Sequence, residues 1–146
     1  MTGWRVGWIT HPEYLGEHIA KLVQISTTGV PEFIQKGFIE ALKNHEFLVE
    51  DVMKNLHVSR DFVYNKMKNW TKLKINKPES AFYFFFKAND AKDSISFCKN
   101  LIKKTQVGLA PGVAFGKTGD NFLRLCFAAD VKFLKNILNR LEEEFN

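Results

Sequence analysis

The apolar run over residues 2–10 predicts a β-strand, closed by His11-Pro12. The period then lengthens. Leu15, Ile19, Leu22 and Val23 recur at helical spacing and predict a helix over 13–25, which Thr27-Thr28-Gly29 breaks. Pro31 suits the first helical position of a second helix, whose apolar stripe is Phe33, Ile34, Phe38, Ala41 and Leu42. Residues 46–70 contain neither Gly nor Pro, and Phe47, Leu48, Val52, Met53, Leu56, Val63, Met67 and Trp70 repeat at threes and fours. At 1.5 Å per residue such a helix reaches on the order of 37 Å. That is more than a compact domain of this size needs, and it predicts a helix bridging two bodies, one of them outside this chain.

After Trp70 the pattern changes again. Leu73 and Ile75 alternate with lysines, Lys77-Pro78-Glu79-Ser80 turns, and residues 81–86 read as a strand buried on both faces. Asp90 or Asp93 can cap a helix carrying Ile95, Cys98, Leu101 and Ile102. Residues 107–110 and 121–128 read as strands around a glycine-rich turn. Asp130 then caps a last helix with Val131, Leu134, Ile137, Leu138 and Leu141 on one face. The expected fold class is α/β, with a small α+β unit at the carboxy end. The expected division is 1–45, 46–70 (the long helix) and 71–146 (the small unit).

Composition narrows the picture. A chain of 146 residues with 14 Phe and 3 Trp can bury a real core, which excludes a disordered class. The longest apolar run, residues 81–86, is too short to cross a bilayer, so no membrane association is expected. No signal peptide is read at the start, because Trp4-Arg5 interrupts any apolar region. Cys98 and Cys126 read as buried free thiols, which suits a reducing, cytoplasmic setting. The net charge is +5, and Lys66, Lys68, Lys72, Lys74 and Lys77 cluster, yet no nucleic-acid motif accompanies them and a solvated face is the expected role. The four histidines form no metal-ligand spacing, and no metal is expected.

Two arginines stand out. The chain has seventeen lysines among its 21 basic residues, and two of its arginines, Arg5 and Arg124, are embedded in apolar runs with no acidic neighbour in sequence. A guanidinium is a permanently charged fork of donors that matches a carboxylate or phosphate bidentately. Burying one without an anion costs roughly several kcal/mol, so the anion has to come from elsewhere in the fold or from a ligand. An ion pair with a distant Asp or Glu, or an edge-strand arginine reaching solvent, is the ordinary alternative.

The segment Gly112-Val113-Ala114-Phe115-Gly116-Lys117-Thr118 looks like a nucleotide phosphate loop. It is one residue too short between its glycines to wrap a phosphate, and Gly119-Asp120 leads into a strand instead of a helix. A turn using glycines for positive φ is the better reading.

Thr2-Gly3-Trp4-Arg5-Val6-Gly7-Trp8, then Pro111-Gly112 with Phe115-Gly116, then Arg124-Leu125-Cys126-Phe127-Ala128 occur in an order and spacing that resemble the carboxy-terminal part of the class I/II aminotransferases of pyridoxal-phosphate fold type I. The resemblance implies that residues 1–45 are a remnant of a large cofactor-binding domain, with one edge strand and helices. It implies pyridoxal 5′-phosphate as cofactor, with Arg5 holding its phosphate. Arg124 would hold the α-carboxylate of an amino acid or 2-oxo acid substrate.

The family's Schiff-base lysine, in an S-x-S-K pattern, would fall a few residues upstream of Met1. No catalytic residue is therefore expected within the chain, which would act with a missing amino-terminal half and be inactive alone. The family is usually dimeric, so a homodimer is expected. The family also uses the segment around Ser80-Ala81-Phe82-Tyr83 near the substrate, with glycine more usual at position 80; no role is carried over to it. Residues 24–31 hold no Arg or Lys, so a dicarboxylic substrate would need its second cation from upstream residues. The competing reading is a non-catalytic remnant or a module binding anions or a protein. A coding frame for S-x-S-K just 5′ of Met1 would separate the two.

Overall fold

The computed structural model describes residues 1–146, apart from the side chain of Thr2. The chain divides into two units, Met1–Glu50 and Asp51–Asn146. The first unit is helical. A 3-10 turn at Thr2–Trp4 opens it, a second at Glu13–Leu15 leads into α1 (Gly16–Thr27), and α2 (Glu32–Lys43) follows. The helix α3 (His45–Met67) begins in this unit and runs through the boundary between Glu50 and Asp51. Thr28 at φ 64° and Gly29 at φ 146° end α1 and reverse the chain. Pro31 is the residue just before α2, since its ψ of 142° is extended, and it is not the first helical residue expected from the sequence.

The strand expected over residues 2–10 does not form, and with it goes the expected edge strand of this unit. A strand exists only by exchanging hydrogen bonds with a neighbour, and the first unit contains no other strand among the described residues. The run instead curls. Trp4 N–H donates to the Met1 carbonyl at 3.0 Å, and Arg5 takes the left-handed conformation at φ 55°. The tryptophans then lie against α2, with Trp8 on Phe38 at 5.5 Å between ring centroids and Trp4 close beside Gly37.

The second unit is a four-stranded antiparallel sheet of order β1-β2-β4-β3, formed by β1 (Leu73–Lys74), β2 (Tyr83–Ala88), β3 (Ala110–Pro111) and β4 (Phe122–Cys126). The helix α4 (Ser94–Thr105) follows β1 and β2 in the chain, and α5 (Val131–Phe145) follows β3 and β4. In the long central pairing Phe84 faces Leu125 and Phe86 faces Leu123. All four are buried, in one core with Val63 and Met67 of α3, Cys98 and Leu101 of α4, and Leu134, Leu138, Leu141 and Phe145 of α5.

Parity along the strands corrects two expectations. Residues 81–86 were read as buried on both faces, but β2 is one-sided, with Phe84, Phe86 and Ala88 inside and Phe85 45% exposed. Cys126 was read as buried, but Leu123 and Leu125 take the inward positions of β4, and Cys126 is exposed. Cys98 is buried as expected, and burial pushes its thiol pKa up. The strand read at 107–110 shrinks to the two-residue pairing Ala110–Pro111, opposite Arg124 and Leu123.

The helix starts follow the sequence closely. Asp93 accepts from Ser96 N–H at 3.0 Å and caps α4, and Asp130 accepts from Phe133 N–H at 2.8 Å and caps α5. Cross-links fix α3 to the rest of the second unit. Ser59 donates to the Ala129 carbonyl at 2.7 Å, and Lys66 pairs with Glu142 at 2.7 Å. Asp61 accepts from Arg60 and from Lys77, each at 2.8 Å. Two members of the lysine cluster, Lys66 and Lys77, are thus committed to internal carboxylates.

Hydrogen bonds from Arg60 and then Lys77 hold the Asp61 carboxyl at about 2, against an ordinary 3.8. A lowered folded-state pKa means that the stabilisation is complete above 3.8 and is lost as pH falls through about 2. Asp61→Asn is expected to lower the thermal midpoint at neutral pH, with the gap from the parent chain closing across that acid window in a series of thermal melts. In the first unit Trp8, Ile25, Phe33 and Phe47 are each at least 70% exposed. The 146-residue chain is expected to enhance the fluorescence of an apolar dye, and Phe33→Ser with Phe47→Ser is expected to reduce that enhancement without loss of helical circular dichroism.

Candidate functional site

The register of β2 and β4 decides where Arg124 points. It pairs with Phe85 across the sheet, and its neighbours Leu123 and Leu125 point into the core, so Arg124 lies on the outer face with Tyr83, Phe85 and Phe122. Its side chain is half-buried there. The guanidinium carbon lies 4.3 Å from the centroid of the Tyr83 ring and 4.4 Å from that of Phe115. No carboxylate lies within ion-pair distance of it among the described residues. The arrangement holds a cation against two ring faces, which supply no hydrogen-bond acceptor.

Phe115 comes from the segment that resembles a phosphate loop. That segment folds as two 3-10 turns, Gly112–Phe115 and Lys117–Gly119, and runs into β4 with no helix N-terminus. Only Gly116, at φ 136°, uses the positive φ expected of these glycines. Gly112 and Gly119 are required for a different reason: their backbones touch. A Cβ on Gly112 would collide with the Gly119 carbonyl oxygen and come 2.6 Å from that of Phe122, and a Cβ on Gly119 would collide with the Gly112 carbonyl. The buried Ser94 fastens this closed segment to the start of α4. Its hydroxyl accepts from Val113 N–H at 3.3 Å, and its own N–H donates to Asp120 at 2.9 Å.

Arg5 belongs to the first unit and Arg124 to the second, and each is placed within its own unit. Arg5 is exposed on its left-handed turn, where it lines an open hollow with Trp4, Thr27, Gly29 and Pro31. Neither arginine therefore sits in the interior of a strand ladder's buried face. In the segment at 80–83, Ala81 adopts φ 59°, and the segment lines a cavity of about 180 Å³ with His57, Arg60 and Phe127. Among the described residues no His, Cys, Asp and Glu group is placed to hold a metal ion, and no helix is long and apolar enough to cross a membrane. The sequence names Tyr83 only within the segment 80–83 and Phe115 only within a family motif, and gives neither a role. The signal available was the parity of β2, which puts Tyr83 on the side of Arg124 once the register is known.

The comparisons with known proteins bear on the whole of this arrangement. The model of the family "Aminotransferase class I and II" matches residues 1–141. The chain belongs to the class I and II aminotransferases. A probable aspartate aminotransferase of Methanocaldococcus jannaschii is 32% identical over 99% of the chain, and an LL-diaminopimelate aminotransferase of Natranaerobius thermophilus is 30% identical over all of it. Among solved structures, an aromatic aminotransferase of Pyrococcus horikoshii superposes with a TM-score of 0.85 at 31% identity over 99% of the chain. The chain spans about two fifths of the length of these relatives, 40%, 38% and 39% respectively. Its fold, helices with a small antiparallel sheet, is that of the carboxy-terminal part of the fold type I aminotransferases.

The close approach of Gly112 and Gly119 yields a direct expectation. Because the atoms in the way are backbone, Gly112→Ala is expected to destabilise by about 2–4 kcal/mol. Chemical denaturation checks this, with Gly108→Ala as a control, since the nearest atom to a Cβ there is the Ile102 methyl at 3.8 Å.

Proposed function

We propose that this chain is the carboxy-terminal portion of an aminotransferase that moves an amino group between an amino acid and a 2-oxo acid with pyridoxal 5′-phosphate. The observation that carries the reading is the Arg124 guanidinium, held on two ring faces at 4.3 and 4.4 Å with no carboxylate paired to it among the described residues. A planar carboxylate is the anion that matches its fork of donors. The α-carboxylate is the group shared by every amino acid and 2-oxo acid, so one fixed fork serves both halves of such a reaction.

Arg5 suits the other anion. An exposed guanidinium on a turn can donate two parallel hydrogen bonds to a phosphate, and the Arg5 side chain lines an open hollow. One arginine does not neutralise a dianion, so Arg5 is a partial holder whose site is completed by other residues of the enzyme. When bound, pyridoxal phosphate supplies an aldehyde to take the amino group and a conjugated ring to draw off the electron pair freed at the α-carbon. In this chain Arg124 would bind the α-carboxylate and thereby set which bond at the α-carbon faces the ring. Both arginines bind and orient anions, and no proton transfer is assigned to either.

The proton chemistry of the family belongs to the Schiff-base lysine of its S-x-S-K motif, which none of the seventeen lysines of this chain matches. The chain alone is therefore inactive on this reading and acts together with the remaining portion of the fold. The relatives' names span aspartate, aromatic and diaminopimelate substrates, so the choice of amino acid is not set by family membership.

Co-expression with the amino-terminal portion of a class I/II aminotransferase tests the proposal. The 146-residue chain with added cofactor is expected to give no amino-group transfer, and the pair is expected to give it. In the active pair Arg124→Gln should lower kcat/KM by roughly a hundredfold, and Arg5→Gln should weaken cofactor retention by roughly tenfold or more. Turnover by the chain alone, or an Arg124→Gln pair with undiminished kcat/KM, would overturn it.

A further inference from the structure

We propose that Tyr83 and Phe115 are positioning residues: together they hold the Arg124 guanidinium in place to receive a carboxylate, and the glycine-pinched segment 112–119 serves to deliver Phe115 to it. The inference rests on the reading of Arg124 as the carboxylate holder and adds the groups through which that holder is set.

An arginine on an open sheet face has a long, flexible stem, and ordering it on binding costs entropy that weakens the bound state. A structural carboxylate could order it in advance, but only by occupying the N–H groups that the ligand needs. Ring faces act differently. They attract the guanidinium through the ring quadrupole and apolar contact and accept none of its five N–H donors in strong hydrogen bonds. Arg124 has two such faces, Tyr83 at 4.3 Å and Phe115 at 4.4 Å, so its stem is ordered while its donors stay available.

Both rings are themselves held. Tyr83 lies in β2 and packs on Phe82 at 4.5 Å between centroids. Phe115 meets Phe85 edge-on at 5.9 Å, and Phe85 stacks on Phe122 at 5.1 Å with an interplanar angle of 7°. The row of rings therefore continues across the outer face from Phe115 through Phe85 to Phe122, while Phe82 packs against the core and backs Tyr83 from that side. Phe115 is 51% exposed and comes from outside the sheet, so its place depends on the loop that carries it. That loop is closed by the Gly112–Gly119 contact and tied to Ser94 and, through Asp120, to the start of α4. The resemblance to a phosphate loop is accounted for by this mechanical task, with glycines for backbone approach.

Side-chain NMR of the 146-residue chain provides the test, with acetate as the carboxylate probe and chloride as the ionic-strength control. The Arg124 Nε–H resonance, assigned by its absence in Arg124→Lys, is expected to be displaced by ring currents in the free chain and to move on acetate addition. Tyr83→Leu and Phe115→Leu should each return the resonance towards the position of an exposed arginine and weaken acetate binding about threefold to tenfold. Tyr83→Phe and Phe115→Tyr should restore both readouts, which loss of a merely structural residue would not predict. Backbone amide spectra verify that each variant is folded. Unchanged acetate affinity in both folded leucine variants overturns the positioning role and leaves the proposed function standing. A ring-shifted Arg124 that ignores acetate in the parent chain overturns the carboxylate reading, and the positioning role falls with it.

Discussion

The alternation of a one-sided sheet is the constraint from which the rest of the second unit follows. In β4, Leu123 and Leu125 are committed to the core, and a side chain between them has no choice of face. Had the register slipped by one residue, a guanidinium would enter a core made of Phe84, Phe86, Leu134 and Leu138, where no carboxylate is on hand. The cost of such burial, roughly several kcal/mol, is what locks the register as firmly as the leucines do. An arginine in an apolar run is thus an address label for the open face, and its charge is tolerated because it keeps water on one side and rings on the other.

The aromatic content of that open face has a physical logic of its own. An outer sheet face normally carries polar residues, yet here Tyr83, Phe85 and Phe122 occupy it, with Phe115 laid over them from the loop. Lys87, opposite Phe122, continues the same face. Apolar rings on an open face lose hydration only in part, which is a weak driving force. A cation inserted among them adds an attraction that apolar packing alone lacks. The loop then needs little sequence of its own to stay in place, because the Gly112–Gly119 contact shortens it to a tight closure and Ser94 fixes one side. Phe115 could not be recruited by a longer, freer loop without a larger ordering cost.

Much of this was legible in the sequence and some of it was not, for reasons that lie in the range of the forces involved. The helices were readable because their signals are local: Asp93 and Asp130 cap where the periodicity begins, and Thr28-Gly29 stops α1 where it ends. Family membership was readable because three motifs, around Arg5, Pro111-Gly112 and Arg124, stand in order along the chain. Strand exposure was not readable. Five aromatic residues in a row, residues 82–86, look buried on both faces in composition, and only pairing with β4 shows that Phe85 faces out. The outward position of Cys126 was hidden for the same reason. The Gly112–Gly119 contact and the two rings on Arg124 join residues far apart in sequence, and no local pattern records them.

Arg5 and Arg124 have nearly the same sequence setting and opposite structural settings, and the difference is instructive. Both were embedded in apolar runs of strand-forming residues. The run around Arg124 found a partner in β2, so its backbone is extended and its side chain is aimed by the ladder. The run around Arg5 has no ladder, and its chain turns through φ 55° at the arginine itself. A left-handed non-glycine residue costs roughly 1–2 kcal/mol, so something must over-determine the turn. Trp8 on Phe38 and Trp4 beside Gly37 do so, seating the flanks of the turn on α2. The backbone of Arg5 is thereby set by a turn whose flanks are seated on α2, where the side chain of Arg124 is placed by strand parity and two rings. The presence or absence of a pairing strand, and not the apolar run itself, therefore decides how each arginine is placed.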